Sequence, residues 1–215
     1  DDTSPGNVDG PGLGFIGGAK IQSAPSTGTP VSTALPPGTR AWGSGLKEGL
    51  ENWYGHSMKV SITTSCMSYR DVYLDLDPTY KDRHGQPLLR MTFNWKRNEL
   101  LLQQHLKGVV GDIVKEMNPD SYSMSFLPMG ADFDMTKYVS THNVGGAVMG
   151  DNPKTSALNR YLQSWDVHNV FVPGGNAFPQ NFQSNPTNTI GAITLMAANA
   201  IREQYLKNPG PLVQV

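Results

Sequence analysis

The residues best suited to chemistry are a histidine and an asparagine in the C-terminal third of the chain. His142 stands just before a Gly145-Gly146 turn, and Asn185-Pro186 stands where an apolar helix is predicted to begin. Glycine lets another backbone or a ligand approach closely, and an imidazole is suited to acid/base work near neutral pH. The pair is therefore a candidate catalytic site. The alternative is a loop histidine held by local hydrogen bonds and an asparagine that only caps a helix.

Two predicted elements would hold this pair in place. Residues 170–172 are a short apolar run followed by a Pro-Gly-Gly break, which predicts a buried strand that ends in a turn. Asn185 suits an N-cap and Pro186 suits the first helical position, so a helix is predicted from there to about Tyr205. The N-terminus of such a helix can bind an anion, with ordinary capping as the alternative.

The preceding part of the chain predicts an α+β fold with a mostly antiparallel sheet and flanking helices. Apolar side chains recur at helical spacing over residues 98–117, with Asn98 as the N-cap and Asn118-Pro119 as the stop. Period-two alternation on both sides of a turn at residues 82–85 indicates a hairpin. The other predictions are a helix over 44–54 and strands over 58–66, 71–77, 88–95 and 122–127.

Composition excludes several classes of function. The 215 residues carry a formal net charge of −1, so no bulk attraction to nucleic acid is expected. Cys66 is the single cysteine, which rules out an internal disulfide and a thiolate metal cage. The five histidines have neither metal-ligand spacing nor acidic neighbours that complete a ligand set, so no metal site is expected. No apolar run is long enough to span a membrane.

The N-terminal residues 1–50 are rich in Gly, Pro, Ser and Thr and predict loops around one apolar piece at 14–21. Residues 12–17 match G-x-G-x-x-G, but no predicted strand precedes them and no helix follows. They therefore predict a glycine-rich loop rather than a dinucleotide site. The chain contains neither a G-x-S-x-G elbow nor a P-loop, which argues against a hydrolase of that type and against a P-loop nucleotidase.

Three blocks in the C-terminal third resemble the glucose–methanol–choline (GMC) family of flavoprotein oxidoreductases. Residues 142–150 read HNVGGAVMG and resemble the family's H-x-x-G-[TG]-x-x-M-G block. Residues 169–179 read NVFVPGGNAFP and resemble the block that follows it. Residues 185–189 read NPTNT, run into an apolar helix and resemble the third. The order and spacing match together, which is far more specific than any single block.

The resemblance extends to one branch of the family. Residues 77–93 resemble the substrate-domain stretch of the branch that contains the large subunits of membrane-bound gluconate, ketogluconate, sorbitol and fructose dehydrogenases. Residues 160–166 and 208–213 resemble the same branch. The resemblance implies oxidation of a hydroxyl on a sugar, polyol or sugar acid, with a cytochrome c subunit and a small subunit as partners. It also implies a periplasmic location, with inner-membrane association through those subunits.

The resemblance also assigns roles to residues. His142 matches the family's catalytic histidine, which takes the hydroxyl proton while hydride passes to FAD, and Asn185 matches its usual partner. The family's turn is usually Asp-Gly-Ser, so the turn in this chain lacks an acidic contact to the cofactor. The residues implied to lie along FAD are Gly174, Gly175, Asn176, Ala177, Pro186 and Thr187.

The family's N-terminal dinucleotide-binding βαβ unit has no counterpart in this sequence. We therefore expect residues 1–134 to be part of a substrate-binding domain and residues 135–215 to supply the C-terminal strand and helix of an α/β FAD-binding domain. The expected partner is the missing N-terminal FAD-binding half. The alternative is a non-enzymatic fragment or carbohydrate-binding module that holds no flavin on its own.

Overall fold

The computed structural model describes residues 13–25, 35–137 and 142–214, and it confirms the α+β class. These residues group into two compact units, one containing residues up to 64 with 96–131, the other residues 65–95 with those from 132 onward. The predicted division at residue 134 separates a substrate-binding part from an FAD-binding part, and it stays a prediction.

The strands are β1 (Ala19–Pro25), β2 (Met58–Thr64), β3 (Tyr73–Lys81) and β4 (Pro87–Thr92), and the helices are α1 (Gly43–Trp53), α2 (Arg97–Met117) and α3 (Thr187–Ala200).

In the first unit, β1 pairs antiparallel with β2, from Ala19 opposite Thr64 to Pro25 opposite Met58. The prediction of loops over residues 1–50 is wrong at β1, because pairing with a distant strand supplies a hydrogen-bond ladder that local composition does not reveal. The glycine-rich motif leads into this strand as a loop, with positive φ at Gly14, as predicted. Gly12, its first residue, lies outside the described residues.

Helix α2 confirms the long predicted helix, but not its predicted cap. Lys96 occupies the N-cap, and the Asn98 side chain instead pairs with the backbone of Ile16. Its Oδ1 accepts the Ile16 N–H at 2.7 Å, and its Nδ2 donates to the Ile16 carbonyl at 3.0 Å. Asn118 ends the helix, as predicted, and it adopts the left-handed conformation. The buried apolar stripe consists of Leu100, Leu102, Leu106, Val110 and Val114.

In the second unit, β3 and β4 form the predicted hairpin. Tyr73 lies opposite Thr92, and Asp75 lies opposite Arg90. The predicted end of this strand at residue 77 is wrong, because β3 continues through Pro78 to Lys81. The pairing is irregular between Leu76 and Lys81, which is a place where a strand tolerates a proline without an N–H.

The predicted end of β4 is also wrong, because the strand stops at Thr92 rather than Trp95. Phe93 and Trp95 instead pack edge-on against Phe133, with ring centroids 4.7 and 5.6 Å away, respectively. The Asn94 side chain holds the same segment by accepting the Phe133 N–H at 2.7 Å. Aromatic packing has therefore replaced the strand ladder here.

Two further strand predictions are wrong. Residues 122–127 have no assigned strand; Tyr122 is 60% exposed and Met124 is 36% exposed. Within residues 170–172, Phe171 makes a single antiparallel bridge to Gln163, and Val170 is 42% exposed. Apolar alternation predicts a strand only where a neighbouring strand completes the ladder, and the described residues offer these segments none.

The core of the second unit lies among irregular segments and α3. It is built from Leu158, Leu162, Ala177 and Ala197, each at most 2% exposed. Helix α3 starts at Thr187 with Pro186 at its N-cap, one residue later than predicted, and no side-chain capping bond is made there. A π-helical turn, Ile201–Tyr205, extends it to the predicted end. No helix among the described residues is long and apolar enough to cross a membrane.

Candidate active site

The segment after His142 lies alongside the glycine turn that follows residues 170–172. Alternate N–H groups of residues 145, 147 and 149 donate to the carbonyls of residues 175, 176 and 177, at 2.9, 3.1 and 2.9 Å. Gly145 and Gly146 have φ of +90° and +115°, a region that favours glycine. The first two blocks singled out in the sequence are therefore joined by main-chain hydrogen bonds.

Gly175 is the point at which the third block joins them. A Cβ atom on Gly175 would lie 3.1 Å from Ile190 Cδ1 in the first turn of α3 and 3.4 Å from Val144 Cγ1. Both distances are tight, so a side chain here would push the segments apart. The neighbouring Gly174 has φ of +129°, where a side chain would be strained. The two glycines thus allow the His142 segment, the turn and α3 to meet.

Asn176 stabilises the turn from inside. Its Nδ2 donates to the Val172 carbonyl at 3.2 Å. Ala177 is fully buried, and its side chain belongs to the core of the unit. These two positions, implied to lie along a cofactor, therefore shape the turn through backbone geometry and packing.

The start of α3 presents a set of polar backbone groups. The first intrahelical bond in this turn runs from the Ile190 N–H to the Pro186 carbonyl at 2.9 Å. Residues 187–189 are exposed, and N–H groups at such positions have no intrahelical acceptor. No acidic side chain stands in this first turn, so nothing there neutralises the partial positive charge of the helix end. Asn185 is exposed directly before it, while Pro186 is buried.

His142 is half-buried and is held by a residue that the sequence analysis missed. Its carbonyl accepts a hydrogen bond from Asn181 Nδ2 at 3.0 Å. Asn181 lies among several polar residues between two recognisable blocks, and no spacing rule distinguishes it from them. The structure identifies it because the contact joins residues far apart in the chain.

The β3–β4 hairpin approaches the same region. A Cβ on Gly146 would lie 3.6 Å from Leu74 Cδ1, so β3 contacts the glycine turn after His142. The opposite face of the hairpin carries a cross-strand ion pair in which Arg90 Nε donates to Asp75 Oδ1 at 2.8 Å. The hydrogen bond and charge of Arg90 lower the pKa of Asp75 below its usual value.

The second unit also has a cavity away from this region. It has a volume of about 420 Å³ and is lined by Gln163, Trp165 and His168 together with the C-terminal tail. None of the sequence-predicted site residues lines it, so it is not the candidate active site. The described part of the chain also contains no group of three or more His, Cys, Asp or Glu side chains that could hold a metal ion.

Comparison with known proteins identifies relatives that match most or all of the chain. It is 49% identical to the gluconate 2-dehydrogenase flavoprotein of Pantoea cypripedii over its full length. It is 27% identical to the 2-methyl-1,2-propanediol dehydrogenase of Mycolicibacterium austroafricanum over 89% of its length. It is 26% identical to the fructose dehydrogenase large subunit of Gluconobacter japonicus over 74% of its length.

The chain spans about a third of the length of these curated relatives, namely 35%, 34% and 28% respectively. Residues 69–194 match the GMC oxidoreductase family, and this match covers more than half of the chain. It includes all three blocks that meet at Gly175, as well as the hairpin beside them. The chain therefore belongs to the GMC oxidoreductase family.

Proposed function

We propose that this chain carries the catalytic pair and the substrate side of an FAD-dependent dehydrogenase that oxidises a hydroxyl of a sugar acid, sugar or polyol. The observation that carries the proposal is the meeting of the His142 segment, the glycine turn and α3 at Gly175. These segments are remote in sequence, and together they gather a histidine, a glycine turn and a helix N-terminus in one compact unit.

In this proposal His142 removes the proton of the substrate hydroxyl. A neutral imidazole is suited to that step near pH 7. Asn185 is exposed and has no capping role in α3, so its amide is available to orient the hydroxyl. An amide can donate and accept without competing for the proton. FAD, when bound, supplies the acceptor for the hydride.

The backbone groups near Gly175, where the three segments meet, suit a flavin. The N–H groups at the start of α3 favour a group that becomes negative on reduction. Gly174, Gly175 and Asn176 would lie along the cofactor with Ala177, and Pro186 and Thr187 would present the helix end to it. Ala177 and Pro186 are buried, so their part is to fix the backbone. The pyrophosphate needs a βαβ unit, and we propose that a region outside this chain supplies it.

The substrate class and the partners rest on the relatives. The 49% identity to a gluconate 2-dehydrogenase flavoprotein supports a sugar acid as the substrate. By the same family resemblance we propose a small subunit and a cytochrome c subunit as partners. The proposed location is the periplasmic side of the inner membrane, with attachment through those subunits.

The test is His142→Ala in the flavin-loaded enzyme that contains this chain. Turnover should fall by roughly 10²–10⁴-fold, the usual worth of a positioned general base. Flavin content should stay unchanged, because the glycine turn and α3 remain. His168→Ala is the matched control, since that side chain is exposed in the same unit and the contact of this residue with Gln163 is made by its carbonyl. Near-normal turnover of His142→Ala would show that His142 is not the catalytic base.

A further inference from the structure

The backbone of Asn181 is fixed by a short antiparallel bridge to Cys66. The Asn181 N–H donates to the Cys66 carbonyl at 3.0 Å, and the Cys66 N–H donates to the Asn181 carbonyl at 3.2 Å. A second contact joins the same two segments, because Ser68 Oγ donates to the Pro179 carbonyl. The backbone at residues 179 and 181 is therefore anchored independently of the His142 segment.

The side chain of Asn181 connects this anchor to His142. Its Nδ2 donates to the His142 carbonyl at 3.0 Å, across 39 residues of sequence. Its Oδ1 is buried and accepts no hydrogen bond from any described residue. If the side-chain amide were flipped, its Oδ1 would face the His142 carbonyl oxygen, so the amide can adopt only the orientation in which Nδ2 donates. Among the described residues, the one side-chain hydrogen bond of this amide is therefore made to His142.

We infer that Asn181 is a positioning residue, which holds the main chain of His142 in place for proton abstraction. The inference rests on the proposed function of His142. The other end of the segment is held by the Gly145 N–H, which donates to the Gly175 carbonyl at 2.9 Å. The base thus lies between two tethers, and Asn181 provides the one that depends on a side chain. Small displacements of a reacting group can cost about 100-fold in rate.

The experiment is Asn181→Asp in the flavin-loaded enzyme that contains this chain, with gluconate as the probe substrate. Aspartate keeps the shape of the side chain, but when ionised it cannot donate to the His142 carbonyl. The rate of flavin reduction should fall by about 10-fold or more, as for a misplaced catalytic group. KM and flavin content should stay unchanged. Asn181→Ala removes the donor and the buried Oδ1 together, so it gives a second reading if the charged variant does not fold.

Ser68→Ala is the matched control, because it removes a hydrogen bond between the same two segments without touching His142. It should leave the rate of flavin reduction unchanged. An equal loss of rate in Ser68→Ala, a loss of flavin in the Asn181 variants, or unchanged reduction in both variants would overturn the inference. His142→Ala, measured alongside, separates the two proposals: if it also turns over normally, the proposed function fails as well.

Discussion

The β3–β4 hairpin and the segments around Gly175 differ in where their order comes from. The hairpin consists of two paired strands, yet every residue of β4 is exposed, and Leu76 and Leu89 are 63% and 69% exposed. The segments around Gly175 contain little regular structure, yet Leu162 is fully buried and Phe178 is 1% exposed. Regular secondary structure and burial are therefore separate properties in this unit, and the half-buried His142 and the exposed Asn185 lie beside the buried, irregular part.

Side-chain amides make that irregular backbone possible. Gln163 is fully buried, and its Nε2 donates to the carbonyls of His168 and Gly210 at 2.7 and 2.8 Å. Its Oε1 accepts the Leu212 N–H at 2.8 Å and Asn159 Nδ2 at 3.2 Å. Buried backbone groups need partners, and here one glutamine supplies what a neighbouring strand would supply in a sheet. The C-terminal tail is tied to the core through this residue.

The largest expected effect is a loss of turnover at Asn185, the exposed residue that lies between the irregular segments and α3. Asn185→Asp should lower turnover by about 10²-fold or more, because a donor is lost and a negative charge is added beside the developing anion. Stability should change by less than about 1 kcal/mol, since an acid before a helix is well tolerated.

Turnover and melting temperature are measured on the same preparation, with Asn199→Asp as the control. Asn199 is exposed on α3 and lies more than two turns beyond its start, so it tests the added charge alone. Unchanged turnover in Asn185→Asp would place the function of this unit elsewhere.

Gln163→Leu should have the next largest effect, and on stability rather than on chemistry. It removes the hydrogen-bond partner of the partly buried carbonyls of His168 and Gly210 and of the Leu212 N–H, which should lower the free energy of unfolding by about 1–3 kcal/mol. The exposed Leu89→Gln in the hairpin should change it by less than about 0.5 kcal/mol. Chemical denaturation of both variants compares the regions directly. Equal losses of unfolding free energy in Gln163→Leu and Leu89→Gln would mean that the hydrogen bonds of Gln163 do not contribute measurably to stability.

The smallest effect is expected at the ion pair on the hairpin. Arg90 holds the pKa of Asp75 below its usual value of 3.8. A carboxylate with a lowered pKa contributes stability above the unfolded-state pKa, and that contribution is lost as the pH falls through the folded-state pKa. The stability gap between the wild type and Arg90→Gln should therefore close in acid. NMR titration of the Asp75 carboxyl should show its pKa returning to the ordinary range in Arg90→Gln.

Sequence reasoning succeeded where short-range spacing determines the structure. The apolar stripe of α2 and the alternation around the turn at 82–85 predicted a helix and a hairpin, and both are confirmed. It failed at β1, whose partner lies about forty residues away, and at residues 170–172, where a bridge replaced a strand. Local patterns do not encode such pairings.

The candidate site divides in the same way. Sequence blocks placed His142, the glycine turn and the start of α3, and the structure brings these segments together. The roles of Asn181 and Gln163 could not be predicted from the sequence. Their side chains form hydrogen bonds to residues 39 to 49 positions away, and no local pattern indicates such bonds. The roles of His142 and Asn185 stay predictions until they are measured.

The most direct test of the central proposal is anaerobic mixing of the purified enzyme that contains this chain with gluconate, while the yellow absorbance of its flavin is followed. The proposal predicts stoichiometric FAD and rapid loss of that absorbance with gluconate, or with a related sugar or polyol. A colourless protein, or a yellow one whose flavin no such hydroxyl compound reduces, would contradict it.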